Sequence, residues 1–438
     1  MATQNLYNFD AILKNVYRGP IVEQLNQESY GIDQFERQAA NDMGAFAGKS
    51  VLFPIHTARN RGRSSLADGG NLPTAGNQSY KDGIVTMRYF AQGIELSDQV
   101  IKQSETNEGA FVRALTAEIE GATTDLRKDI NRQIYGTGDG VLANVAGTVA
   151  SGTITSVTVD SVQYIAVGDS VDLVKSDGTI LGTAAYVTAV TNSGTAGGST
   201  QANGTITIQT SATNTAGVSI ASALTSGFIA LSGCYNQESD GLRNITATSG
   251  TLHALSASTT PVWAGSELDS AYASYSAGSN GLEDLFIQLS QTIRKKSSKT
   301  PDVFLTTLGV QRRLANTYTS LKRYNDAKVV DVSGGYSAIM VAAGNNPIPV
   351  VSDVDAPLGF AFGLKKDVFA WCELSKPDWL TAPDGKGSIM TLKTGSAAGS
   401  RQAIWQAWLG WNAALVCTAR NQTGRIKGLQ DDLPVARV

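Results

Sequence analysis

Between Asn107 and Tyr135 the chain reads NEGAFVRALTAEIEGATTDLRKDINRQIY. Apolar residues recur at Phe111, Leu115, Ile119, Ala122, Leu126, Ile130 and Ile134, in steps of four and three, which is one stripe of an α-helix. The opposite face carries Arg113, Glu118, Glu120, Asp125, Lys128, Asp129 and Arg132. Asp125 with Lys128 and Asp129 with Arg132 sit three apart, the spacing at which side chains meet across a turn. Asn107 suits the N-cap, and Glu108 favours the positive end of the helix dipole. Gly136, Gly138 and Gly140 supply the stop, since glycine tolerates the left-handed turn that ends a helix. At about 1.5 Å per residue such a helix runs roughly 43 Å, longer than a small domain is wide, and predicts a strut through an elongated subunit.

The 438 residues allow two to four domains around a sizeable core. Only 17% of residues are charged, against about a quarter in ordinary domains. A net charge of −3 gives no basic field for a dedicated nucleic-acid binder. The three cysteines, Cys234, Cys372 and Cys417, are odd in number and widely spaced, which predicts free thiols in a reducing compartment rather than a disulfide framework or a zinc site. MATQNLYNFD lacks the basic-then-apolar pattern of a signal peptide, and no run of about 18 apolar residues predicts a membrane span.

Taken in order, residues 1–48 read as an arm. Phe9, Ile12, Leu13 and Val16 have helical spacing up to Gly19-Pro20, and Ile21, Val22 and Leu25 begin a second short face. VLFPI (51–55) reads as a strand and GIVTMRYFAQGIELS (83–97) as a longer one, with Ile84, Thr86, Arg88, Phe90 and Gln92 on one side. Together they predict a long two-stranded hairpin with a large polar tip, followed by a short helix over 98–103 capped by Ser97. From Gly147 to Gly233 the only basic residue is Lys175, and short β-rich runs (TITSVTV, VGDSVDLV, TAAYVTAV, GTITIQT, FIALSG) alternate with turn residues. That predicts a small all-β barrel or sandwich inserted between two α/β regions; for 191–217 a low-complexity loop is the alternative.

Beyond it, GLEDLFIQLSQTIRKKS (281–297) is an amphipathic helix with basic residues at its negative end. PDVFLTT is a buried strand, GVQRRLANTYTS a helix, 333–346 a glycine-rich loop, and IPVV and PLGFAFGL are strands, so 300–374 reads as an α/β unit. Trp379, Trp405, Trp408 and Trp411 mark an aromatic-rich last part read as core, with strand-like stretches broken at Gly410.

Chemical motifs are weak. Gly44 to Ser50 approaches a phosphate loop, but its first glycine is one residue too close and the segment leads into a strand. Gly136 to Gly140 lies at a helix C-terminus, where the dipole repels phosphate. His56 and His253 have no partner motif for nucleophilic catalysis, and neither GxSxG nor HExxH occurs. No catalytic, metal or cofactor residues are assigned. Asp353 and Asp355 read as solvated acids in a Pro-bounded loop. Arg59, Arg61 and Arg63 crowd the hairpin tip, either as a solvated loop or as a clasp on an acidic neighbour.

The order of parts resembles the major capsid proteins of tailed double-stranded DNA bacteriophages, an α+β fold of the HK-ninety-seven type. GKSVLFPIHTARNRG, GIVTMRYFAQGIELSDQVIKQSETNEGAFVRAL, the RQIYGTGDG stop and DGLRNI carry the likeness, which covers most of the chain except about 145–235. The resemblance implies an N-terminal arm (1–50), an E-loop hairpin (51–97), a P domain with the spine helix (98–145), a β-rich insertion (146–235), a P-domain continuation and linking helix (236–299), an A domain (300–374) and a P-domain return with a tail (375–438). It implies a subunit that self-assembles, as hexamers and pentamers, into an icosahedral shell around double-stranded DNA held without sequence-specific contacts. The implied partners are a portal protein, a decoration protein and, since no long charged N-terminal segment resembles a fused scaffold, a separate scaffolding protein. The implied location is the virion, with assembly in the host cytoplasm and no membrane. Arg59, Arg61, Arg63 and Lys81 are the candidate inter-subunit contacts, and the lysine–asparagine cross-link of some relatives is not carried over to Lys81. A phage tail protein or a secreted β-rich adhesin is the alternative. It would explain 147–260 but not the long helix.

Overall fold

The computed structural model describes residues 29–43, 45–46, 50–98, 108–194, 202–269, 281–321, 330–332, 336–342, 347–381, 391–394 and 400–431. Its axis is one α-helix, Glu108–Ile134, of 27 residues and therefore about 40 Å. Ala122, Leu126, Ile130 and Ile134 of the expected stripe are buried. Asn107 and the side chains of Phe111 and Leu115 lie outside the described residues. Asp129 pairs with Arg132 at 2.9 Å, as the spacing predicts. Arg132 is not on a solvated face, however: it is also paired with the buried carboxylate of Glu238. The helix stop works through Gly138 and Gly140, both at positive φ.

One five-stranded sheet packs on this helix. It joins Glu36–Ala39, Phe369–Trp379, Arg401–Cys417, Thr391–Thr394 and Arg88–Ser97. Its inner face buries Phe90, Trp371, Leu409, Trp411 and Leu415 against Leu126, Ile130 and Ile134. The Trp371 and Trp411 rings are 5.1 Å apart and Phe90 sits 5.5 Å from Trp411. The aromatic-rich run is core only in part, since Trp408 is 37% exposed. No break occurs at Gly410: Arg401–Cys417 is a single strand of 17 residues. Glycine is there because the hydroxyl of Tyr89, on the neighbouring strand, occupies the place of a side chain.

The stretch 83–97 is two strands, Ser79–Thr86 and Arg88–Ser97. The first pairs with Ser50–Ala58 and the second with Arg401–Cys417 in the other sheet. The alternation changes phase at Met87, so Val85 and Phe90 are buried while Ile84 is exposed. The extra residue at Met87 acts as a one-residue slip does, inverting the side chains that follow it. The two-stranded hairpin therefore ends at Thr86, not at residue 97. Residues 1–28, and the helix expected over 98–103 beyond Asp98, lie outside the described residues.

A seven-stranded sheet forms the second body, ordered Ser266–Asp269, Gly424–Lys427, Phe360–Leu364, Val303–Thr306, Pro347–Ser352, Tyr336–Ala342 and Val330–Val332. Phe304, Val350, Ala361 and Ile426 face the helices Leu282–Ser297 and Leu308–Leu321. Val303, Leu305, Val351 and Phe362 face the core under the long helix. A strand covered on both faces reads as an unbroken apolar run, which is why PDVFLTT shows no alternation. The unit does not stop at 300 and 374, because Ser266–Asp269 and Gly424–Lys427 complete its sheet. The expected loop 333–346 contains the strand Tyr336–Ala342.

The β-rich insertion is a closed barrel. Six antiparallel strands run in the order Val141–Asn144, Phe228–Leu231, Ser170–Val174, Ile180–Asn192, Gly204–Gln209 and Ser156–Val159. A bridge between Val145 and Val159 then joins the last strand back to the first. Its own core holds Val157, Leu173, Val187, Ile206, Ile208 and Ile229. VLAN (141–144) is a barrel strand rather than part of the α/β body, so the module runs from 141 to 231. Chain entry and exit cross at Gly140, where a side chain would strike the Cys234 carbonyl. The Asn236 N–H donates to the Asp139 carbonyl beside it, at 2.8 Å.

Candidate functional site

Ser50–Ala58 and Ser79–Thr86 form the stem of a hairpin whose base packs on the outer face of the five-stranded sheet. Val51, Phe53 and Val85 meet Cys372, Ala414 and Val416 there. Two bonds fix the stem to the body: the Ile84 N–H donates to the His253 carbonyl at 2.9 Å, and Lys81 Nζ donates to Thr260 Oγ1 at 2.9 Å. Beyond the stem, residues 59–78 are without regular sheet and nearly all exposed.

The finger is nonetheless organised. Asn60 Nδ2 donates to the Gly76 carbonyl at 2.6 Å, while Asn60 Oδ1 accepts from Gly62 N–H at 2.7 Å. Gln78 Oε1 accepts from the Asn60 N–H at 3.2 Å and lies 2.8 Å from His56 Nε2. Gly62 and Gly76 face each other so closely that a Cβ on Gly62 would lie 2.7 Å from the Gly76 nitrogen. Two limbs joined by side-chain amides and glycines project without a core of their own. Leu72, 85% exposed, stands at the far end of the loop.

Arg59, Arg61 and Arg63 are all exposed on one limb of this finger. Lys81 is separate from them: its bond to Thr260 makes it part of the stem's attachment within the same chain.

A second constellation lies inside the molecule. Asp353 is only 2% exposed. Its Oδ2 accepts from the Gly31 N–H and the Tyr135 O–H, each at 2.8 Å, and its Oδ1 accepts from the Asp355 N–H at 2.9 Å. Asn131 Nδ2 donates to Asp355 Oδ2 at 2.6 Å and to Asp353 Oδ1 at 3.2 Å. The expectation of two solvated acids was wrong. Asp353 is buried and Asp355 half-buried because their partners arrive from helix positions more than 200 residues earlier, a distance no local pattern records. Burial, chiefly, with the neighbouring Asp353 pushes the Asp355 carboxyl up to about 6, although Asn131 works against the shift. The barrel joins the same loop, where Tyr164 O–H donates to the Asp355 carbonyl at 2.8 Å and Gln163 Nε2 to the Ala356 carbonyl at 2.7 Å. A cleft of about 350 Å³ opens beside these contacts between barrel and body.

His253 is buried, with its ring pushed down to about 3 by burial and by Arg420. Its Nε2 accepts from the Cys417 N–H at 3.1 Å, so the ring is neutral and committed to the backbone. Burial raises the Cys417 thiol to about 12, far from a reactive thiolate. Among the described residues, no group of three or more His, Cys, Asp or Glu is placed to hold a metal ion. Ser50 begins a strand, as expected of the false phosphate loop, while Gly44 and 47–49 lie outside the described residues.

No family model matches the sequence, and no curated protein does. Solved structures do. The capsid asymmetric unit of cyanophage A-1(L) superimposes with a TM-score of 0.55 at 13% identity, over 96% of this chain and 98% of that one. This chain has the fold of a phage capsid subunit. The capsid of Myoviridae phage XM1 is also similar, with 10% identity, a TM-score of 0.45 and coverage of 98% and 99%. So is the holo-SrpI encapsulin complex of Synechococcus elongatus, at 7% identity, a TM-score of 0.44 and 100% of each chain. The cyanophage match extends over 96% of this chain, so its aligned span takes in residues of the barrel as well as of the helix and both sheets.

Proposed function

We propose that this chain is the major capsid protein of a tailed double-stranded DNA phage, a subunit that assembles with copies of itself into a closed shell. The observation that carries the reading is the finger over 59–78: it is ordered, polar and projecting, and it adds nothing to its own subunit's core. Such an element is explained by a neighbour it lies across, and identical contacts repeated by symmetry close into shells. A capsid fold over nearly the whole chain supports the same reading. The tail-protein and adhesin alternatives account for the barrel but for neither the long helix nor the finger.

In this reading residues 1–50 are the arm and 51–97 the E-loop, with Arg88–Ser97 serving as the E-loop's root in the five-stranded sheet. The P domain comprises 98–145, 236–299 and 375–438, the A domain 300–374 with its two added strands, and the barrel is an insertion. Arg59, Arg61 and Arg63 are the inter-subunit contacts of the finger, placed to meet acidic groups of the next copy. Hexamers and pentamers build the shell, with scaffolding, portal and decoration proteins as further partners. The packaged DNA is enclosed without sequence-specific binding, which suits a chain of net charge −3. The protein resides in the virion and assembles in the host cytoplasm. Sedimentation and electron microscopy of the purified protein test this: shells or capsomers are expected, and a small monomer under every condition of salt and scaffold would overturn it.

A further inference from the structure

The loop from Asp353 to Leu358 is where four parts of the chain meet. The segment before the five-stranded sheet reaches it through Gly31, and the long helix through Asn131 and Tyr135. The seven-stranded sheet continues into it, with the Asp353 N–H on the Thr306 carbonyl at 2.9 Å. The barrel grips it through Tyr164 and Gln163, whose Oε1 also accepts from the Leu358 N–H at 3.1 Å. We propose that the Asp353–Asn131–Asp355 cluster is a proton-operated latch, which holds the barrel against the body while Asp355 is neutral and loosens that hold when Asp355 is ionised.

The donors are unevenly shared. Asp353 takes the Gly31 and Asp355 N–H groups, the Tyr135 O–H and part of the Asn131 amide. Among the described residues, Asn131 is the hydrogen-bond donor to the Asp355 carboxylate, and its other amide atom is occupied by the Ile32 N–H at 3.1 Å. Two carboxylates around one amide are stable together when one of them carries a proton.

The surrounding charges do not change this balance. On the helix, Lys128 and Arg132 favour the ionised form, but Arg132 is held by Asp129 and Glu238. Tyr30 from the preceding segment, Tyr135 from the helix and Tyr164 from the barrel all titrate above the ordinary phenol range, so they stay neutral. Asp353 is the like charge in the same loop.

The sign follows from linkage. When the loop opens, Asp355 returns to the ordinary carboxylate range near 4. Closed, it titrates at about 6. Closing therefore takes up a proton between those values, and the closed form loses ground as pH rises through about 6. Between about pH 5 and about pH 7.5 the closed-to-open ratio should fall about tenfold.

Hydrogen exchange on the full-length protein reads this directly, in the peptide that contains Gln163 and Tyr164. With uptake scaled to the intrinsic rate at each pH, protection should be about tenfold lower at about pH 7.5 than at about pH 5. Asp355→Asn should keep the higher protection at both values. Tyr164→Phe, which removes the barrel's bond to the loop, should give the same low protection at both, because the barrel no longer follows the state of Asp355. Equal wild-type protection at the two pH values would overturn the proposal. So would an unchanged pH dependence in either variant, and Tyr164→Phe decides the matter alone if Asp355→Asn does not fold.

Discussion

The guanidinium of Arg132, in the last turn of the long helix, is paired with the carboxylate of Glu238, on the segment that leaves the barrel. Glu238 is buried and Arg132 largely so, with side-chain exposures of 4% and 12%. Burial raises the Glu238 carboxyl and Arg132 draws it back down, so the pair holds the barrel's exit against the helix only while both members are present. Arg132→Met should cost about 3–5 kcal/mol near neutral pH, because a buried carboxylate is left without its cation. The loss should shrink as pH falls and Glu238 takes up a proton, and the Arg132→Met/Glu238→Gln double variant should recover part of it. Denaturant melts of the four proteins at two pH values check this.

Two glycine-to-alanine changes should act in opposite directions. At Gly241 an added Cβ would lie 2.5–2.7 Å from the carbonyl oxygens of Gln133, Ile134 and Gly136, so the backbone ending the helix would have to move. At Gly121, inside the helix, an added Cβ meets nothing within 4 Å. Gly241→Ala should destabilise by about 2 kcal/mol or more, as overpacking against rigid groups does. Gly121→Ala should stabilise by about 0.5–1 kcal/mol, the usual gain in a helix interior. Thermal melts of the two variants should shift to opposite sides of the parent.

The barrel should be removable, but only along its true border. Joining Gly140 to Gly233 by a short Gly/Ser link deletes all six strands and leaves Asp139 and Asn236 to hold the neck. Deleting 146–233 instead leaves the strand Val141–Asn144 behind, with Leu142 and Ala143 stripped of the cover that buries them. The first protein should keep its helical circular dichroism and remain soluble. The second should aggregate, since an exposed apolar strand edge recruits others. Equal solubility of the two would refute this border.

Trimming the finger, with 59–78 replaced by an Asn-Gly turn between Ala58 and Ser79, should leave the melt of the unassembled subunit nearly unchanged. The stem core of Val51, Phe53 and Val85 is untouched by the change. Closed shells should be lost. Charge reversal at Arg59, Arg61 and Arg63 together should weaken assembly less severely, and more so at low salt, because exposed pairs are screened. Electron microscopy beside the melts separates the two effects. A collapsed melt would show that the finger serves its own subunit.

The long helix was legible because its stripe is local: Ala122, Leu126, Ile130 and Ile134 state the buried face without reference to anything else. The barrel was legible as alternation between turns, though its first strand was not, since VLAN is too short to show a period. Where the chain changes sheets, pattern reading failed. Nothing in GIVTMRYFAQGIELS marks Met87 as the point where the partner changes, because the new partner strand, Arg401–Cys417, lies 311 residues away at the Glu95–Gln406 contact. The Asp353 cluster was illegible for the same reason. Its acids look solvated until Asn131 and Tyr135 are brought to them. The exposure of Arg59, Arg61 and Arg63 was legible, since a polar, glycine-rich run is a local property, whereas the bond of Lys81 to Thr260 spans 179 residues and no local pattern records it.

The strand Arg401–Cys417 also sets a timetable. It pairs with Phe369–Trp379, Thr391–Thr394 and Arg88–Ser97, and through Ala414 and Val416 it supports the base of the hairpin. On a ribosome, Arg88–Ser97 emerges some three hundred residues before the strand it must lie beside. Until Cys417 is made, the inner aromatic face is open, the hairpin has no floor, and the finger points in no fixed direction. A nascent chain can thus build its barrel early but cannot present a finger to a neighbour, and a subunit acquires its assembly surface only once nearly all of its own sheet is in place.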